Sequence, residues 1–263
     1  MTRLDKVFAD LRAAGKKGLI IYITAGAPDM ETTLAAVKAA EAAGADIIEL
    51  GLPFSDPMAD GPVIQAADVA AIRSGMTVKK ALALVKEIRT FSAIPLLGMG
   101  YINNVLHYGL EKFVQDFKMA GMDGLILPDV PHEESGELRQ ICAKEEFHVI
   151  EFVTPGTTPE RIKETCTSAN GFIYCVSVNG VTGVRKIDYA PIGKVAELVR
   201  QQTRVPVAVG FGIGSPEAAV AASRHADAVI VGSAVVKRLL DKDINGAASL
   251  IASLRRALDE KVK

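Results

Sequence analysis

The sequence predicts a (β/α)8 TIM barrel, and three observations lead to this prediction. The chain has 263 residues, and barrels of this kind typically run to about 250 residues. Eight short apolar runs alternate with amphipathic helical stretches along it. Each run is continuous rather than alternating, as expected for parallel strands that are covered on both faces. We therefore predict one barrel domain over residues 1–263, since a doubly wound sheet of this length would usually have fewer strands.

The predicted strands are β-branched apolar runs, each followed by a loop that contains Gly, Pro or Asp. Runs of this length and composition are typical of strands in a parallel sheet. They are, in chain order, Leu19–Thr24, Asp46–Leu50, Pro95–Met99, Gly124–Leu127, His148–Val153, Phe172–Val176, Val205–Val209 and Ala228–Val231.

The predicted helices lie between these strands, and several have clear end signals. A glycine follows both Met30–Ala43 and Leu110–Ala120, and glycine just past a helix favours its termination. Thr158 and Ser215 each precede a Pro-Glu pair, which is the pattern of an N-cap with proline at the first helical position. The other helices that we assign from the pattern are Ser135–Glu146 and Pro159–Ser168.

Two additions depart from the plain eightfold repeat. A helix is predicted over residues 2–14, before the first strand. A long insertion between Leu50 and Pro95 holds a loop over 52–62 and two helical segments. Active sites of this fold lie at the C-terminal ends of the strands, which is where this insertion begins.

The composition points away from several classes of protein. The formal net charge is -1, so electrostatics do not indicate a nucleic-acid or acidic-membrane partner. Four histidines without close pairs and three cysteines without CxxC spacing indicate no metal site. We expect the cysteines (Cys142, Cys166 and Cys175) to be reduced in a cytoplasmic protein. The N-terminus lacks the apolar segment of a signal peptide, and no apolar run approaches the roughly 20 residues of a membrane span.

Glu49 is the most informative single residue, because it lies near the end of an apolar strand. A buried carboxylate must be paired, hydrogen-bonded or protonated. Desolvation raises a carboxyl pKa, which suits a general acid-base group working near neutral pH. Asp60, in the 52–62 loop, is placed to bring a second carboxylate into the same pocket. The alternatives are a buried ion pair for Glu49 and a helix cap for Asp60.

Three glycine-containing segments follow strands 6, 7 and 8, at residues 179–183, 210–215 and 231–234. In these barrels a phosphate often binds beside the loops after strands 7 and 8, against a helix N-terminus. Ser233 adds a hydroxyl where the last predicted barrel helix begins. A phosphorylated small molecule is the predicted ligand, and simple tight turns are the alternative.

The segment Glu49–Gln65 closely resembles the signature of the tryptophan synthase alpha subunit family. Segments 25–28, 128–134, 172–183 and 209–213 look like further blocks of that family in the same order. The resemblance therefore covers essentially the whole chain. It implies a cofactor-free TIM-barrel lyase that cleaves indole-3-glycerol phosphate to indole and glyceraldehyde 3-phosphate by a retro-aldol reaction.

The resemblance also implies roles for individual residues. Glu49 would protonate indole C3 and help to deprotonate the glycerol hydroxyl, while Asp60 would take the proton of the indole nitrogen. Tyr174 would orient Glu49, and Thr182 would contact Asp60 from a loop that closes over the substrate; a core tyrosine and a turn residue are the alternatives. Gly183, Gly212, Gly232 and Ser233 match the phosphate site, and the indole pocket would be lined by Tyr22, Met99, Phe152, Phe211 and Ile230.

A partner follows from the same resemblance. The family works as an alpha2beta2 assembly in which indole passes to a pyridoxal-phosphate-dependent beta subunit. Binding of that subunit is expected to order the 52–62 and 178–186 loops and to raise turnover. Val178-Asn179 stand where many members have an arginine next to the strand-6 serine, so closure of that loop is in question. The contact surface would include Pro53, Phe54, Asp56, Pro57, Asn103, Asn104, Asp129 and Pro131, with Phe54 folded onto its own barrel as the alternative.

Three alternative functions are also compatible with the sequence. The first is a free-standing indole-3-glycerol phosphate lyase that releases indole without a beta subunit. The second is a catalytically weak subunit that only activates the beta enzyme. The third is another phosphosugar enzyme on the same barrel, such as an isomerase. The intact pair Glu49 and Asp60 argues against the second, and the proline-rich 52–62 loop argues against the third.

Overall fold

The computed structural model describes residues 1–176 and 189–260. Eight parallel strands form a closed barrel in chain order, with β8 returning to pair with β1. This confirms the predicted (β/α)8 barrel. The strands are β1 (Gly18–Thr24), β2 (Ile47–Gly51), β3 (Leu96–Met99), β4 (Gly124–Ile126), β5 (His148–Val153), β6 (Ile173–Val176), β7 (Val207–Gly210) and β8 (Ala228–Val231).

The helices surround the barrel, and a 3-10 turn over His132–Glu134 follows β4. They are α1 (Arg3–Ala13), α2 (Met30–Ala42), α3 (Pro62–Arg73), α4 (Val78–Arg89), α5 (Ile102–Tyr108), α6 (Leu110–Ala120), α7 (Gly136–Lys144), α8 (Pro159–Ser168), α9 (Ala190–Gln202), α10 (Pro216–Ser223), α11 (Ser233–Leu240) and α12 (Ile244–Glu260).

The predicted elements are present, with ends shifted by at most two residues. The side chains of Thr158 and Ser215 accept hydrogen bonds from the backbone N–H groups of Arg161 and Ala218, as N-caps do. Gly121 ends α6 in the left-handed conformation, at φ 102°. The predicted N-terminal helix is α1, and the two helical segments of the insertion are α3 and α4.

The barrel interior is filled by alternate residues of the strands, because strand side chains point to opposite faces in turn. An apolar cluster there includes Ile20, Ile47 and Leu97, and α1 adds Leu4 and Phe8 to it. The Phe8 ring packs against Phe172 with ring centroids 5.9 Å apart. Helix α1 therefore closes the N-terminal end of the barrel and leaves the opposite end for a site.

Strand register sets the position of Glu49. Tyr22 on β1, Glu49 on β2 and Leu97 on β3 lie side by side. Since Ile47 belongs to the interior cluster, Glu49, two residues later, also points into the barrel, one layer nearer its C-terminal end.

The other composition-based predictions can be compared directly. Cys142, Cys166 and Cys175 are free and buried, as expected. Within residues 1–176 and 189–260, no helix is long and apolar enough to cross a membrane. The same ranges contain no group of three or more His, Cys, Asp or Glu side chains that could hold a metal ion.

Candidate active site

A cleft with about 590 Å³ of empty space, part of which is open to solvent, lies at the C-terminal end of the barrel. The cleft is the place at which most of the predicted substrate and catalytic residues meet. Those that line it are Tyr22, Glu49, Asp60, Met99, Tyr174, Phe211, Gly212, Ile230, Gly232 and Ser233.

The Glu49 carboxyl is buried without compensation. The residue is 1% exposed, and its Oε1 has no hydrogen-bond partner within the described residues. No cation pairs with it there either, so the buried ion pair considered as an alternative is not formed. Burial raises its pKa to about 8, because desolvation disfavours the charged form. At neutral pH Glu49 is therefore a proton donor facing the cleft.

The Asp60 carboxyl has a different environment. It is also buried, but the Tyr101 hydroxyl donates a hydrogen bond of 2.7 Å to Asp60 Oδ2. Burial raises the pKa of Asp60, and this hydrogen bond acts in the opposite direction by stabilising the ionised form. Asp60 does not cap α3. The N-cap residue is Gly61, and no side-chain hydrogen bond caps this helix. The helix-cap alternative is therefore wrong.

Aromatic side chains form the walls of the cleft. Tyr174 and Phe211 meet edge to face, with centroids 6.3 Å apart. Two glycines allow the tyrosines to lie close to the sheet: a Cβ on Gly51 would stand 2.1 Å from the Tyr22 hydroxyl, and one on Gly210 would stand 2.2 Å from the Tyr174 hydroxyl. Apolar walls with a few polar groups suit an indole ring.

Tyr174 and Phe152 are the two aromatic residues whose predicted contacts are not seen in the structure. The structure shows no hydrogen bond between Tyr174 and Glu49 within the described ranges, so the orienting role of Tyr174 stays a prediction. Phe152 does not line the cleft, which corrects its predicted place in the indole pocket. Its ring stacks behind Tyr174, with centroids 5.1 Å apart, and it faces a separate cavity beside β4 and β5.

The other end of the cleft is rich in backbone N–H groups. Gly232 is the residue before α11, and Ser233 is its first helical residue. Both line the cleft with Gly212. The N-terminus of a helix favours anions, because its first N–H groups have no partner within the helix. Phe211 adopts a left-handed backbone, at φ 77°, which is uncommon for a residue with a Cβ and tends to occur at functional sites.

Known proteins resemble this chain over nearly its whole length. A sequence model of the family described as tryptophan synthase alpha chain matches residues 8–262. The chain belongs to the tryptophan synthase alpha chain family. It is 47% identical over 239 residues to the alpha chain from Caldanaerobacter subterraneus subsp. tengcongensis, covering 91% of each. It is 43% identical over 263 residues to that from Thermoanaerobacter sp. (strain X514), covering 98% of this chain and 100% of the relative.

Solved structures of this family have the same fold. The structure of tryptophan synthase subunit alpha from Legionella pneumophila str. Paris is 35% identical, with a TM-score of 0.92 over 99% of each chain. Tryptophan synthase from Mycobacterium tuberculosis contains a chain that is 36% identical, with a TM-score of 0.91 over 98% of each chain. Alpha chains of tryptophan synthase cleave indole-3-glycerol phosphate, and this chain is a lyase of tryptophan biosynthesis.

Two predicted alpha-chain residues lie outside the described residues. They are Thr182 and Gly183, and the whole 178–186 loop, with Val178-Asn179, falls there as well. Their roles therefore remain predictions.

The predicted partner surface of the alpha chain is mostly accessible. Asp56, Asn103, Asp129 and Pro131 are exposed, and Pro53, Phe54 and Pro57 are half-buried. Asn104 is the exception: it is buried, and its Nδ2 donates to the carbonyl oxygens of Leu52 and Pro53 at 3.4 and 3.3 Å. Its side chain is therefore used to hold the start of the 52–62 loop, and its contact with a partner stays a prediction.

Sequence reasoning missed two polar residues next to the carboxyl pair. One is Tyr101, which binds Asp60. The other is Asp68 on α3, which is 3% exposed. Asp68 could have been found, because it occupies an inward position of the helical pattern with Ile64, Ala67 and Ala71. The cleft lining also includes Ile213, Gly214 and Ala234, which belong to the predicted phosphate segments 210–215 and 231–234, and Ile64 on α3, which had no predicted role.

Replacing Asp68 by Asn should stabilise the protein at neutral and alkaline pH. Burial and the nearby Asp60 raise the pKa of Asp68 to about 8. An acid with a raised folded-state pKa keeps its proton while the unfolded chain loses it, so stability falls as pH rises from about 4 to about 8. We expect Asp68→Asn to raise the free energy of unfolding by about 2 kcal/mol at pH 8 and by much less at pH 5.

Urea unfolding at both pH values measures this difference. Asp241→Asn, at an exposed site, is the matched control and should change stability little at either pH. An Asp68→Asn protein that is equally stabilised at pH 5 and pH 8 would contradict the assignment.

Proposed function

We propose that this chain carries out the retro-aldol cleavage of indole-3-glycerol phosphate with Glu49 and Asp60 as its acid-base pair. One observation carries the proposal. Within the described residues, a buried Glu49 whose Oε1 has no hydrogen-bond partner faces the same cleft as Asp60, which accepts a hydrogen bond from the Tyr101 hydroxyl. Two carboxyl groups whose environments differ in this way can act as acid and base at one pH.

The first step is a tautomerisation of the indole ring. Protonated Glu49 delivers its proton to indole C3, which becomes tetrahedral. The Asp60 carboxylate takes the proton from the ring nitrogen, so that a C=N bond forms and no net charge accumulates on the ring. Each transfer is general acid-base catalysis, which contributes about 10²- to 10⁴-fold.

The second step breaks the carbon–carbon bond. Glu49, now a carboxylate, accepts the proton of the glycerol hydroxyl next to C3, and that carbon becomes the aldehyde of glyceraldehyde 3-phosphate. The bonding electrons return to the ring as the C2–C3 double bond, and Asp60 returns its proton to the nitrogen. Indole leaves, and both carboxyl groups have recovered their starting states.

The remaining cleft residues bind the substrate in this proposal. Tyr22, Phe211 and Ile230 contact the indole ring, and Tyr174 orients Glu49 once the substrate is bound. The phosphate binds at Gly183, Gly212, Gly232 and Ser233, next to the start of α11, and Thr182 contacts Asp60 when its loop closes over the substrate. Burial of the ring strengthens the polar interactions around it because water is excluded.

The chain is proposed to act as the alpha subunit of an alpha2beta2 assembly. The surface around Phe54, Asp56, Asn103 and Asp129 would contact the beta subunit, and exposed apolar side chains there, Met58 and Leu106, suit an interface. The reaction needs no cofactor in this chain, and pyridoxal phosphate is expected only in the beta subunit. We place the whole chain, as one domain over residues 1–263, in the cytoplasm.

Indole release from indole-3-glycerol phosphate tests this proposal, measured with and without a tryptophan synthase beta subunit. We expect slow release that rises many-fold when the beta subunit is added. Asp60→Asn should lose release in both conditions, whereas Asp10→Asn, at an exposed site on α1, should retain it. Fast release that is independent of the beta subunit would favour a free-standing lyase. No release in either condition would refute the reaction for this chain.

A further inference from the structure

Several residues that are predicted to face the partner contact one short segment, residues 101–104, which is the start of helix α5 with Tyr101 as its N-cap. Asn104 donates to the carbonyl oxygens of Leu52 and Pro53. The Asp129 carboxylate accepts the backbone N–H of Ile102 at 3.0 and 3.1 Å. The Phe54 ring stacks on Tyr101, with centroids 5.2 Å apart and planes 24° apart. Two residues of the proposed interface, Asp129 and Phe54, thus contact this start of α5, and Asn104 ties it to the 52–62 loop.

Tyr101 links this segment to the catalytic loop. The residue is 5% exposed, and its hydroxyl donates to Asp60 Oδ2 at 2.7 Å. The hydroxyl oxygen of Tyr101 also accepts a hydrogen bond from the backbone N–H of Ala59 at 3.0 Å. One phenol therefore fixes both the carboxylate of Asp60 and the backbone next to it. A hydroxyl with both its donor and its acceptor used in this way has a single orientation.

We propose that Tyr101 is a positioning residue that holds the Asp60 carboxylate in place for proton transfer. In the same proposal, Tyr101 couples the position of the partner-facing Phe54 ring to the position of that carboxylate. The inference rests on the proposed function, because Asp60 must be the base. A contact that moves Phe54 moves the ring stacked on it, and the Tyr101 hydroxyl then moves relative to Asp60. Packed side chains transmit such shifts because interiors are dense.

Tyr101→Phe tests the first half of the proposal, since it keeps the ring and removes the hydroxyl. We expect kcat for indole release to fall about 10- to 100-fold with little change in KM, because a hydrogen bond to a charged group is lost at the reacting carboxylate. Tyr108→Phe is a matched control, since the hydroxyl of Tyr108, at the end of α5, donates to Asp116 on α6 at 2.6 Å, and neither residue lines the cleft. It should keep the wild-type kcat.

A double-variant cycle tests the second half. If Phe54 acts through Tyr101, the combined Phe54→Leu and Tyr101→Phe variant should have the kcat of Tyr101→Phe alone, at saturating beta subunit. Multiplied effects would show that Phe54 acts by another route and would overturn the relay. Unfolding midpoints of all variants should match that of Tyr108→Phe within a few degrees.

The carboxyl titration of Asp60, followed by ¹³C NMR without substrate, separates this inference from the proposed reaction. Among residues 1–176 and 189–260, the charged or titratable groups around Asp60 are Glu49 on β2, Asp68 on α3, and the phenols of Tyr22, Tyr101 and Tyr174. Loss of the Tyr101 bond should raise the Asp60 titration midpoint relative to wild type and to Tyr108→Phe. An unchanged midpoint and unchanged kcat would overturn the inference, whereas absence of activity in the wild type alone would count only against the reaction.

Discussion

Glu49→Gln is expected to lower indole release by about 10³-fold or more while making the protein more stable above pH 7. Glutamine fills the same space but cannot deliver a proton to indole C3, and positioned acid-base groups contribute about 10²- to 10⁴-fold in each transfer. Here one side chain serves in both steps. The loss should therefore appear in kcat more than in KM.

The gain in stability has an electrostatic origin. Burial raises the pKa of Glu49 to about 8, so the folded state retains a proton that the unfolded chain releases above about pH 4.5. Each pH unit in that window costs the wild type about 1.4 kcal/mol from this group alone. The variant lacks this term, and it should be about 2 kcal/mol more stable than the wild type at pH 8 once the cost of a buried amide is included.

Steady-state kinetics and urea unfolding from pH 5 to pH 9 measure the two effects. Glu137→Gln on α7 makes the same chemical change at an exposed position, and it should alter neither. An active Glu49→Gln enzyme would remove Glu49 from the mechanism. An inactive variant whose stability shows the same pH dependence as the wild type would contradict the raised pKa instead.

Gly51→Ala is expected to damage both the fold and the site. The added Cβ would lie 2.1 Å from the Tyr22 hydroxyl and 2.6 Å from the ring carbon that bears it, so the buried ring must leave its position. Overpacking of this kind costs about 1–3 kcal/mol. Because Tyr22 lines the cleft, we expect kcat/KM for indole-3-glycerol phosphate to fall at least about 10-fold, as displaced binding groups commonly do.

Gly136→Ala is the matched substitution, because a Cβ on Gly136 would meet no heavy atom within 4 Å. It should leave thermal stability unchanged or slightly raised. In a Tyr22→Val background, the same Gly51→Ala change should cost much less stability, because the atoms that clash are gone. Equal costs in both backgrounds would show that the Tyr22 ring is not the obstacle.

Much of the site followed from local patterns. Glu49 could be found because a carboxylate within an apolar strand usually indicates a functional residue. The strand pattern also placed it at the C-terminal end of the barrel, where active sites of this fold lie. The predicted element ends were accurate because Gly121, Thr158 and Ser215 are local signals that depend on a few neighbouring residues. Such signals act within one turn of helix and need no knowledge of distant packing.

Other features could not be predicted because they depend on residues far apart in the chain. Tyr101 and Asp60 are 41 residues apart, and no spacing rule connects a helix N-cap to a carboxylate in an earlier loop. Phe152 is the opposite case: strand position suggested the indole pocket, but the packing of Tyr174 over its ring decided otherwise. Asn104 was taken for a surface residue, and only the path of the 52–62 loop shows that it is buried.

By itself the sequence determined the barrel, the pair of carboxyl groups and the family, because strand and helix periodicity, chain length and one long motif are all properties of neighbouring residues. The tertiary structure alone decided the surroundings of the two carboxyl groups, since these depend on burial and on partners from other elements. Burial raises the pKa of both Glu49 and Asp60. They differ because, within the described residues, Glu49 Oε1 has no hydrogen-bond partner, whereas Asp60 accepts a hydrogen bond from the Tyr101 hydroxyl, which lowers its pKa in part.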